Sequence, residues 1–425
     1  MFDRRCNIER RHANTCEWIL GLDEYKNWRS QSRGLLWIKG KPGAGKSTLM
    51  AFLYDRLKEQ HCTERGIGLE FFFTARGTEM QRTPLGMFRA LLNQLLRKDP
   101  AVCSNVREVY KEKCSAFGHS ERSREWQQRE LEQLLQDAII ASAKRQQVTI
   151  FVDALDETGQ KFASELAKYF HKVNYRAAQE DAAAKICISC RHYPIPTSVP
   201  GIEVWVENHN SDDIATFVHH NFHPENLLAG DSPDREAWQD LKEDLIQRAN
   251  GVFQWAHVVV PLVEQKFARS ESPEDVRRWL QQVPDEIGSV YQYILENVIE
   301  QEGLSRSFLL FQWVCLAERP LSVTEMRHAL AAKDTLAAPY QIQCHETPNF
   351  VKSDDRMKQY VVALSGGLTE VVKSQDGNKE IVQVVHQSVN DFLRGQGLSL
   401  LATLEKDGKV SMCGTSRVGS KGNDI

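Results

Sequence analysis

The sequence of 425 residues has no apolar run near the roughly 20 residues that a membrane-spanning helix needs. Its most apolar windows, 35–38, 70–73 and 258–263, are far shorter. It has no excess of charge of one sign: 53 Lys and Arg stand against 57 Asp and Glu, a formal net charge of −4. The broad basic field that bulk binding to nucleic acid or an anionic membrane requires is therefore missing. Ten cysteines are present, but without the dense, regular spacing of a secreted disulfide framework, which suits a reducing cytosol. The N-terminus is charged from Asp3 onward and lacks the apolar core of a secretory signal. These absences lead to the expectation of a cytoplasmic protein with no membrane span and no nucleic-acid partner.

One cysteine pair, Cys187-Ile-Ser-Cys190, matches C-x-x-C but falls inside an expected strand over 185–190. Residues three apart on a strand point to opposite faces, so the pair reads as part of a buried strand and not as a redox couple. No second C-x-x-C completes a zinc site.

With 41% hydrophobic and 26% charged residues the composition is globular, and the length favours two to four packed units. Residues 1–33 read as a helical lead-in, with Trp18, Ile19, Leu22, Tyr25 and Trp28 at helical spacing. The period then changes to a short apolar strand over 34–39, a glycine loop and a helix over 47–60. Further strands are expected at 68–73, 148–152, 185–190 and 202–206, with helices at 84–98, 126–144 and 162–176. Strands alternating with helices argue for an α/β domain over 34–210, with about five mostly parallel strands covered on both faces.

From residue 211 the strand signal stops, and helices at 212–222, 234–249, 252–267 and 273–283 make a small all-α unit over 211–285. Beyond Pro284 come helices at 289–300, 305–317 and 323–332, the last opened by a Ser322 and Glu325 capping box. Two strand-like runs, 367–373 and 381–385, then bracket the turn-forming Asp376-Gly-Asn378. Helices followed by such a hairpin suggest a winged-helix module over 286–394. Residues 395–425, rich in Gly, Ser and Lys with weak periodicity, are expected to form a disordered tail.

The chemistry is concentrated in three places. Gly40-Lys41-Pro42-Gly43-Ala44-Gly45-Lys46-Ser47 fits G-x-x-x-x-G-K-[ST] between a strand and a helix, with Thr48 next in line. Glycines let backbone N–H groups converge on a phosphate at the helix N-terminus, Lys46 supplies a point charge, and the Ser47 hydroxyl suits Mg²⁺. Asp153 ends the strand over 148–152, at the edge where ligands bind in open parallel sheets, and can hold the Mg²⁺ opposite Ser47. Asp156 and Glu157 add two carboxylates at that edge. Glu157 is favoured as general base and Asp156 as a second metal-shell or supporting group, although both can reach the γ-phosphate and both also fit an ordinary helix N-terminal charge pair.

The third place is Arg191, which follows the strand over 185–190. If that strand lies beside the phosphate-loop strand, the guanidinium points at the γ-phosphate; the bland alternative is a surface arginine. Asp156-Glu-Thr-Gly159 formally matches D-x-x-G, but no N-K-x-D follows, so guanine specificity is disfavoured and adenine is the default. His386 ends the strand over 381–385 and precedes a helix with Ser388 as N-cap and Asp391 three residues on. A histidine near a helix N-terminus tends to be neutral and can donate to a phosphate, but by its pattern alone it is more often a packed core histidine.

These motifs in this order resemble the NACHT class of STAND NTPases, and the text around them is similar to fungal NACHT proteins with a nephrocystin-like N-terminal NTPase domain. The carrying segments are Thr15-Cys-Glu-Trp-Ile-Leu20, the strand and loop over 34–48, Phe71-Phe-Phe-Thr-Ala-Arg-Gly77, Ile150-Phe-Val-Asp-Ala-Leu-Asp-Glu157, Ser189-Cys-Arg-His-Tyr-Pro194, Gly251-Val-Phe-Gln-Trp-Ala256 and His386-Gln-Ser-Val-Asn-Asp-Phe-Leu393. The resemblance implies a P-loop NTPase domain followed by a helical lid and a winged-helix-like domain. It also implies a switch held closed by ADP and opened by ATP, oligomerising in the ATP state and meeting protein partners in trans. Output in heterokaryon incompatibility, programmed cell death or defence is implied as well.

Carried over by position, Lys46 and Ser47 bind phosphate and metal, Asp153 and Glu157 serve Mg²⁺ and hydrolysis, and Arg191 senses the γ-phosphate. His386 then touches the β-phosphate of ADP. Two departures stand out. Ala154 occupies a position where the family's second motif has glycine, and neither an effector domain nor a repeat array is expected within this length, which suggests a gene fragment or a bare switch core. The leading expectation is thus a slow ATPase used as a switch. A nucleotide-stabilised scaffold is the alternative, and a winged-helix DNA binder is disfavoured by the acidic balance.

Overall fold

The computed structural model describes residues 14–61, 66–75, 78–117, 127–192, 199–224, 234–337, 343–374 and 379–415. The chain packs as two units: Met1–Phe217 with Asn250–Phe253, and Val218–Ala249 with Gln254–Ile425.

The first unit is built on a five-stranded parallel sheet. Its strands are β1 (Gly34–Lys39), β2 (Gly66–Phe72), β3 (Gln147–Asp153), β4 (Ala184–Cys190) and β5 (Ile202–Trp205), in the order β2-β3-β4-β1-β5. All four pairings are parallel, and the register sets Lys39 beside both Cys190 and Trp205. Because β4 lies between β1 and β3, the loop after β1, the end of β3 and the residue after β4 emerge side by side at one edge of the sheet. That adjacency is what the Arg191 expectation required.

Alternation along the strands feeds two cores. Leu35 and Trp37, Val148, Ile150 and Val152, and Ile186, Ile188 and Cys190 face helices Pro84–Lys98, Gln128–Ala143 and Gln160–Gln179. Leu36 and Ile38, Phe151 and Cys187 face the helix Lys46–His61 and the segment that precedes β1. Cys187 and Cys190 therefore serve opposite faces, as a strand with a two-residue period demands. Burial pushes the Cys190 thiol up to about 12 and the Cys187 thiol well above its ordinary value, so neither is an available thiolate.

The lead-in is part of this unit. A 3-10 turn, Glu17–Gly21, and the helix Asp23–Ser30 bury Ile19, Tyr25 and Trp28 in the second core. Trp28 donates from Nε1 to the Gly34 carbonyl at 3.1 Å and meets Phe151 edge-on, with ring centroids 6.4 Å apart. The first seven residues of the helix Ser211–Asn221 also belong here. Asp213 Oδ2 accepts from the Cys16 amide at 2.9 Å and from Trp18 Nε1 at 3.0 Å, tying that helix to the lead-in.

Among its described residues the second unit is helical apart from the antiparallel pair β6 (Thr369–Lys373) and β7 (Glu380–Val384). Leu310, Val323, Met326, Met357, Val361, Leu364 and Val382 form one of its cores. The Ser322 and Glu325 capping box is present: the Ser322 amide donates to Glu325 Oε2 at 2.8 Å and the Glu325 amide to Ser322 Oγ at 3.2 Å. The turn Asp376-Gly-Asn378 lies outside the described residues.

Four local readings need correcting. A helix over Pro100–Phe117 is absent from the expectations, its β-branched Val102, Val106 and Val109 being weak helix formers; Asp99 opens it by accepting from the Ala101 amide at 3.1 Å. A helix over Asp354–Ser365, capped by Ser353 accepting from the Arg356 amide, fills a stretch left irregular. In place of a tail from residue 395, a helix covers Leu398–Thr415, with Leu401 buried and Ser305 donating to Glu405 at 2.7 Å; residues 416–425 lie outside the description. The N-cap of Gln387–Phe392 is His386 and not Ser388: His386 Nδ1 accepts from the Ser388 amide at 3.1 Å.

Among the described residues no helix is long and apolar enough to cross a membrane. If the lead-in is integral to the first unit, Trp28→Ala costs about 3–5 kcal/mol of stability, the range for emptying a buried aromatic site. Denaturant unfolding measures this, and a loss below about 1 kcal/mol would show the helix to be a dispensable extension.

Candidate functional site

The loop over 40–45 joins β1 to the helix Lys46–His61. Gly43 and Gly45 have φ of 78° and 93°, a left-handed backbone that glycine adopts without steric cost and that lets the loop curl before the helix begins. Ser47 and Thr48 occupy the first turn, partly exposed, and Ala44 is buried. Lys46 folds back into this loop and donates from Nζ to the carbonyls of Gly40 at 2.9 Å and Lys41 at 2.8 Å. Burial holds its pKa below the ordinary lysine value; Asp156 and Asp153 oppose that shift, and Arg191 adds to it. The Lys46 ammonium thus lies within electrostatic reach of all three.

Asp153 ends β3 and is wholly buried. Its Oδ1 accepts from Ser189 Oγ on the neighbouring strand at 2.5 Å, and its Oδ2 is buried with no hydrogen-bond partner among the described residues. Ser189 also accepts from the Ala154 amide at 2.8 Å. A buried carboxylate oxygen left unpaired is costly, so this atom fits a cation or its water. Among the described residues no group of three or more His, Cys, Asp or Glu could hold a metal. A single carboxylate with a hydroxyl is a donor set that Mg²⁺ accepts, since it is commonly held by one or two carboxylates together with phosphates. Asp153, with the Ser47 hydroxyl, is the candidate pair for it.

After β3 the chain turns sharply. Ala154 has φ 54° and ψ 50°, the left-handed region, and Leu155–Thr158 form a 3-10 turn that presents Asp156 and Glu157. Asp156 binds Arg191 twice: Oδ1 accepts from the Arg191 amide at 3.1 Å, and Oδ2 pairs with Nε at 2.9 Å. Glu157 Oε2 accepts from the Ala75 amide at 2.7 Å, fixing the stretch beyond β2. Arg76 and Gly77 lie outside the described residues.

The structure therefore brings Lys46, Asp153, Asp156, Glu157 and Arg191 to one edge of the first unit. His386 belongs to the second unit, where its Nδ1 lies 2.7 Å from Ser388 Oγ, and Ser388 in turn lies 2.8 Å from the Tyr291 hydroxyl. Sequence reasoning passed over Ser189, Glu207 and Asn210. Ser189 could have been noticed as a lone hydroxyl in the apolar run Ile186-Cys-Ile-Ser-Cys190. Glu207 Oε2 accepts from the Lys41 amide at 3.2 Å, and Asn210 Nδ2 donates to the Ala44 carbonyl at 3.0 Å; no local pattern marks either residue.

A parallel sheet of this order, with G-x-x-x-x-G-K-S after β1 and a buried aspartate ending the neighbouring-but-one strand, defines an α/β unit of the P-loop NTPase class. Residues 14–191 match the family model described as "Nephrocystin 3, N-terminal". Over that segment the chain is similar to this family, in line with the resemblance to NACHT-type STAND NTPases.

The chain is also similar to the vegetative incompatibility protein HET-E-1 of Podospora anserina, with 24% identity over 389 residues that cover 89% of this chain and 26% of that protein. It thus spans about a quarter of the length of that curated relative. Among solved structures, it is 13% identical to the Aeropyrum pernix ORC2 protein, with a TM-score of 0.38 and coverage of 96% and 99% of the two chains. It is likewise 13% identical to a Pyrococcus horikoshii STAND protein with a tetratricopeptide repeat sensor, with a TM-score of 0.41 and coverage of 91% and 44%. At scores this low the fold rests on the chain's own sheet and loop.

Ala154 carries a cost that glycine would not. A left-handed conformation costs a non-glycine residue roughly 1–2 kcal/mol, offset in part by the entropy glycine loses on folding. Ala154→Gly is expected to stabilise the protein by about 1 kcal/mol, a rise in Tm of roughly 2–4 °C in a scan without ligand. An unchanged or lowered Tm would mean that packing of the alanine methyl outweighs the strain.

Proposed function

We propose that the first unit binds ATP and ADP with Mg²⁺ and that the chain acts as a STAND-type switch, hydrolysing ATP slowly and changing its protein contacts with the nucleotide state. One observation carries this: the Lys46 ammonium lies inside the phosphate loop while Asp153, wholly buried and acting on it electrostatically, keeps one carboxylate oxygen without a partner. In this reading the backbone over 40–48 cradles the phosphates, Lys46 neutralises them, and Ser47 and Asp153 hold Mg²⁺. Bound Mg²⁺ would supply charge neutralisation at the β- and γ-phosphates.

Glu157 is the proposed general base. Asp156 is less suited because both of its oxygens are engaged by Arg191. It instead holds the Arg191 guanidinium, the proposed contact for the γ-phosphate, until a phosphate competes for it. The nucleobase is taken as adenine in the absence of an N-K-x-D motif.

The division into a lid over 211–285 and a winged-helix-like domain over 286–394 is part of the same reading. It is supported by the order Leu304–Leu316, the bridging Ser322 against Ile381, Val323–Ala337, Asp354–Ser365 and the β6–β7 hairpin. His386, at the end of that hairpin, is the proposed contact to the β-phosphate of ADP in the closed form; engagement of its Nδ1 by Ser388 orients the ring. A role in incompatibility follows the likeness to HET-E-1; cell-death or defence signalling through partners in trans, with self-association in the ATP state, is proposed from the NACHT resemblance alone.

Denaturing the purified chain and identifying what it releases tests the reading directly. ADP is expected from the parent chain and none from Lys46→Ala; a parent chain free of nucleotide that also fails to bind added ATP or ADP would sink it. Hydrolysis is tested separately by Glu157→Gln, which should retain nucleotide and lower turnover by about 100-fold or more, the usual contribution of a positioned base. Unchanged turnover would favour the scaffold alternative and remove Glu157 from the chemistry.

A further inference from the structure

Trp205 ends β5, and a single 3-10 turn, Val206–Asn208, leads toward the helix Ser211–Asn221. Two side chains from this short connection hold the phosphate loop. Glu207 Oε2 accepts from the Lys41 amide at 3.2 Å, near the start of the loop, and Asn210 Nδ2 donates to the Ala44 carbonyl at 3.0 Å, near its end. The same Asn210 Nδ2 reaches the Gly251 carbonyl at 2.8 Å, and Lys41 Nζ reaches the Asn250 carbonyl at 3.2 Å. The connection therefore ties the loop to the turn Asn250–Gly251 that opens the helix Phe253–Ala268. The approach is close: a Cβ on Gly40 would lie 2.9 Å from Glu207 Oε2, and one on Gly251 would lie 2.4 Å from Glu207 Cβ.

What holds Glu207 is the residue next to Arg191. His192 Nε2 donates to Glu207 Oε1 at 2.5 Å, its ring stacks on Trp205 with centroids 4.4 Å apart, and its Nδ1 is buried with no hydrogen-bond partner among the described residues. With one nitrogen committed and the other unpartnered, the ring has one productive orientation. Residues 191 and 192 are thus anchored in different directions, Arg191 on Asp156 and His192 on Glu207. A phosphate that draws the guanidinium off Asp156 pulls on the two-residue stretch that steadies Glu207, and through Glu207 on the Lys41 amide and the turn at Gly251.

We propose that Glu207 and His192 are positioning residues that couple Arg191 to the phosphate loop, so that the loop's grip on a nucleoside polyphosphate depends on whether a γ-phosphate engages Arg191. The proposal rests on the nucleotide-switch reading, with Arg191 as the γ-phosphate contact. It differs from a structural brace in one respect: a brace would support any nucleotide equally, whereas a coupling residue changes the ratio between nucleotides.

The test is the rate at which the full chain releases a fluorescent ADP and a fluorescent non-hydrolysable ATP analogue, chased with unlabelled nucleotide. In the parent chain the two rates should differ. Glu207→Ala is expected to speed ADP release by about tenfold, as for loss of a hydrogen bond to a charged acceptor. Both it and His192→Ala should shrink the ratio of the two rates by about threefold or more. Arg191→Ala should shrink the ratio alike, and adding His192→Ala to it should change nothing further, the mark of residues acting as one unit.

Acceleration of both nucleotides by the same factor, equal rates in the parent chain, or unchanged rates in the variants would each overturn the proposal. Glu207→Gln, which keeps an acceptor for the Lys41 amide, gives a second readout if the alanine variant does not fold, and an unchanged ratio there with additive effects of Arg191→Ala and His192→Ala would equally overturn it. A parent chain that binds neither probe would overturn the nucleotide reading itself, and this is seen before any variant is made.

Discussion

The Ser189 hydroxyl is the point at which the candidate site is tied to the sheet. From the next-to-last position of the buried strand β4 it donates to Asp153 and accepts from the Ala154 amide, so one side chain fixes both the carboxylate and the sharp turn that follows it. The turn has to be sharp because Ala154 is left-handed, and its direction presents Asp156 and Glu157 toward the edge where the phosphate loop ends. Asp156 then captures Arg191 two residues beyond Ser189. The carboxylates, the arginine and the loop lysine thus converge because β4 is inserted between β1 and β3, and because a serine of that strand holds the end of its neighbour.

Most of this unit was legible in the sequence. The strands announce themselves as short apolar runs, and β1, β3 and β4 are found within a residue or two of where alternation and glycine punctuation place them. Lys46 and Asp153 were legible because a phosphate loop demands a lysine at a fixed spacing and a parallel sheet puts its polar end residues at one edge. The pairing of Asp156 with Arg191 was not, since it joins residues 35 apart whose proximity depends on strand order. Glu207 and Asn210 were invisible for a different reason. Within the phosphate loop their partners are main-chain groups, and a main-chain partner leaves no trace in the sequence.

The helices that went unread share a physical cause. Pro100–Phe117 and Asp354–Ser365 bury only a few side chains each, so their apolar stripes are thin, and their starts are set by single capping residues, Asp99 and Ser353. The helix Leu398–Thr415 opens on Leu398, Leu400 and Leu401, an apolar beginning that the Gly and Lys content downstream outweighed in a composition-based reading. Local composition reports how polar a surface is. It does not report whether a neighbouring helix waits to cover one face.

A consequence concerns how tightly such a site can be held. Lys46 is lodged against two loop carbonyls, Arg191 against Asp156, and Glu157 against the Ala75 amide. Each charged group that would meet a phosphate has a substitute partner within the protein. Substitutes of this kind lower the cost of an empty loop, and a nucleotide must displace them in order to bind. Among the described residues of this edge, Asp153 Oδ2 is left without such a partner, because Ser189 engages the other oxygen and the strand buries the rest. The site is therefore graded: its cations are satisfied internally, while one oxygen of the Asp153 carboxylate is not. A graded arrangement favours an occupant that brings a divalent cation with its phosphates over a phosphate alone.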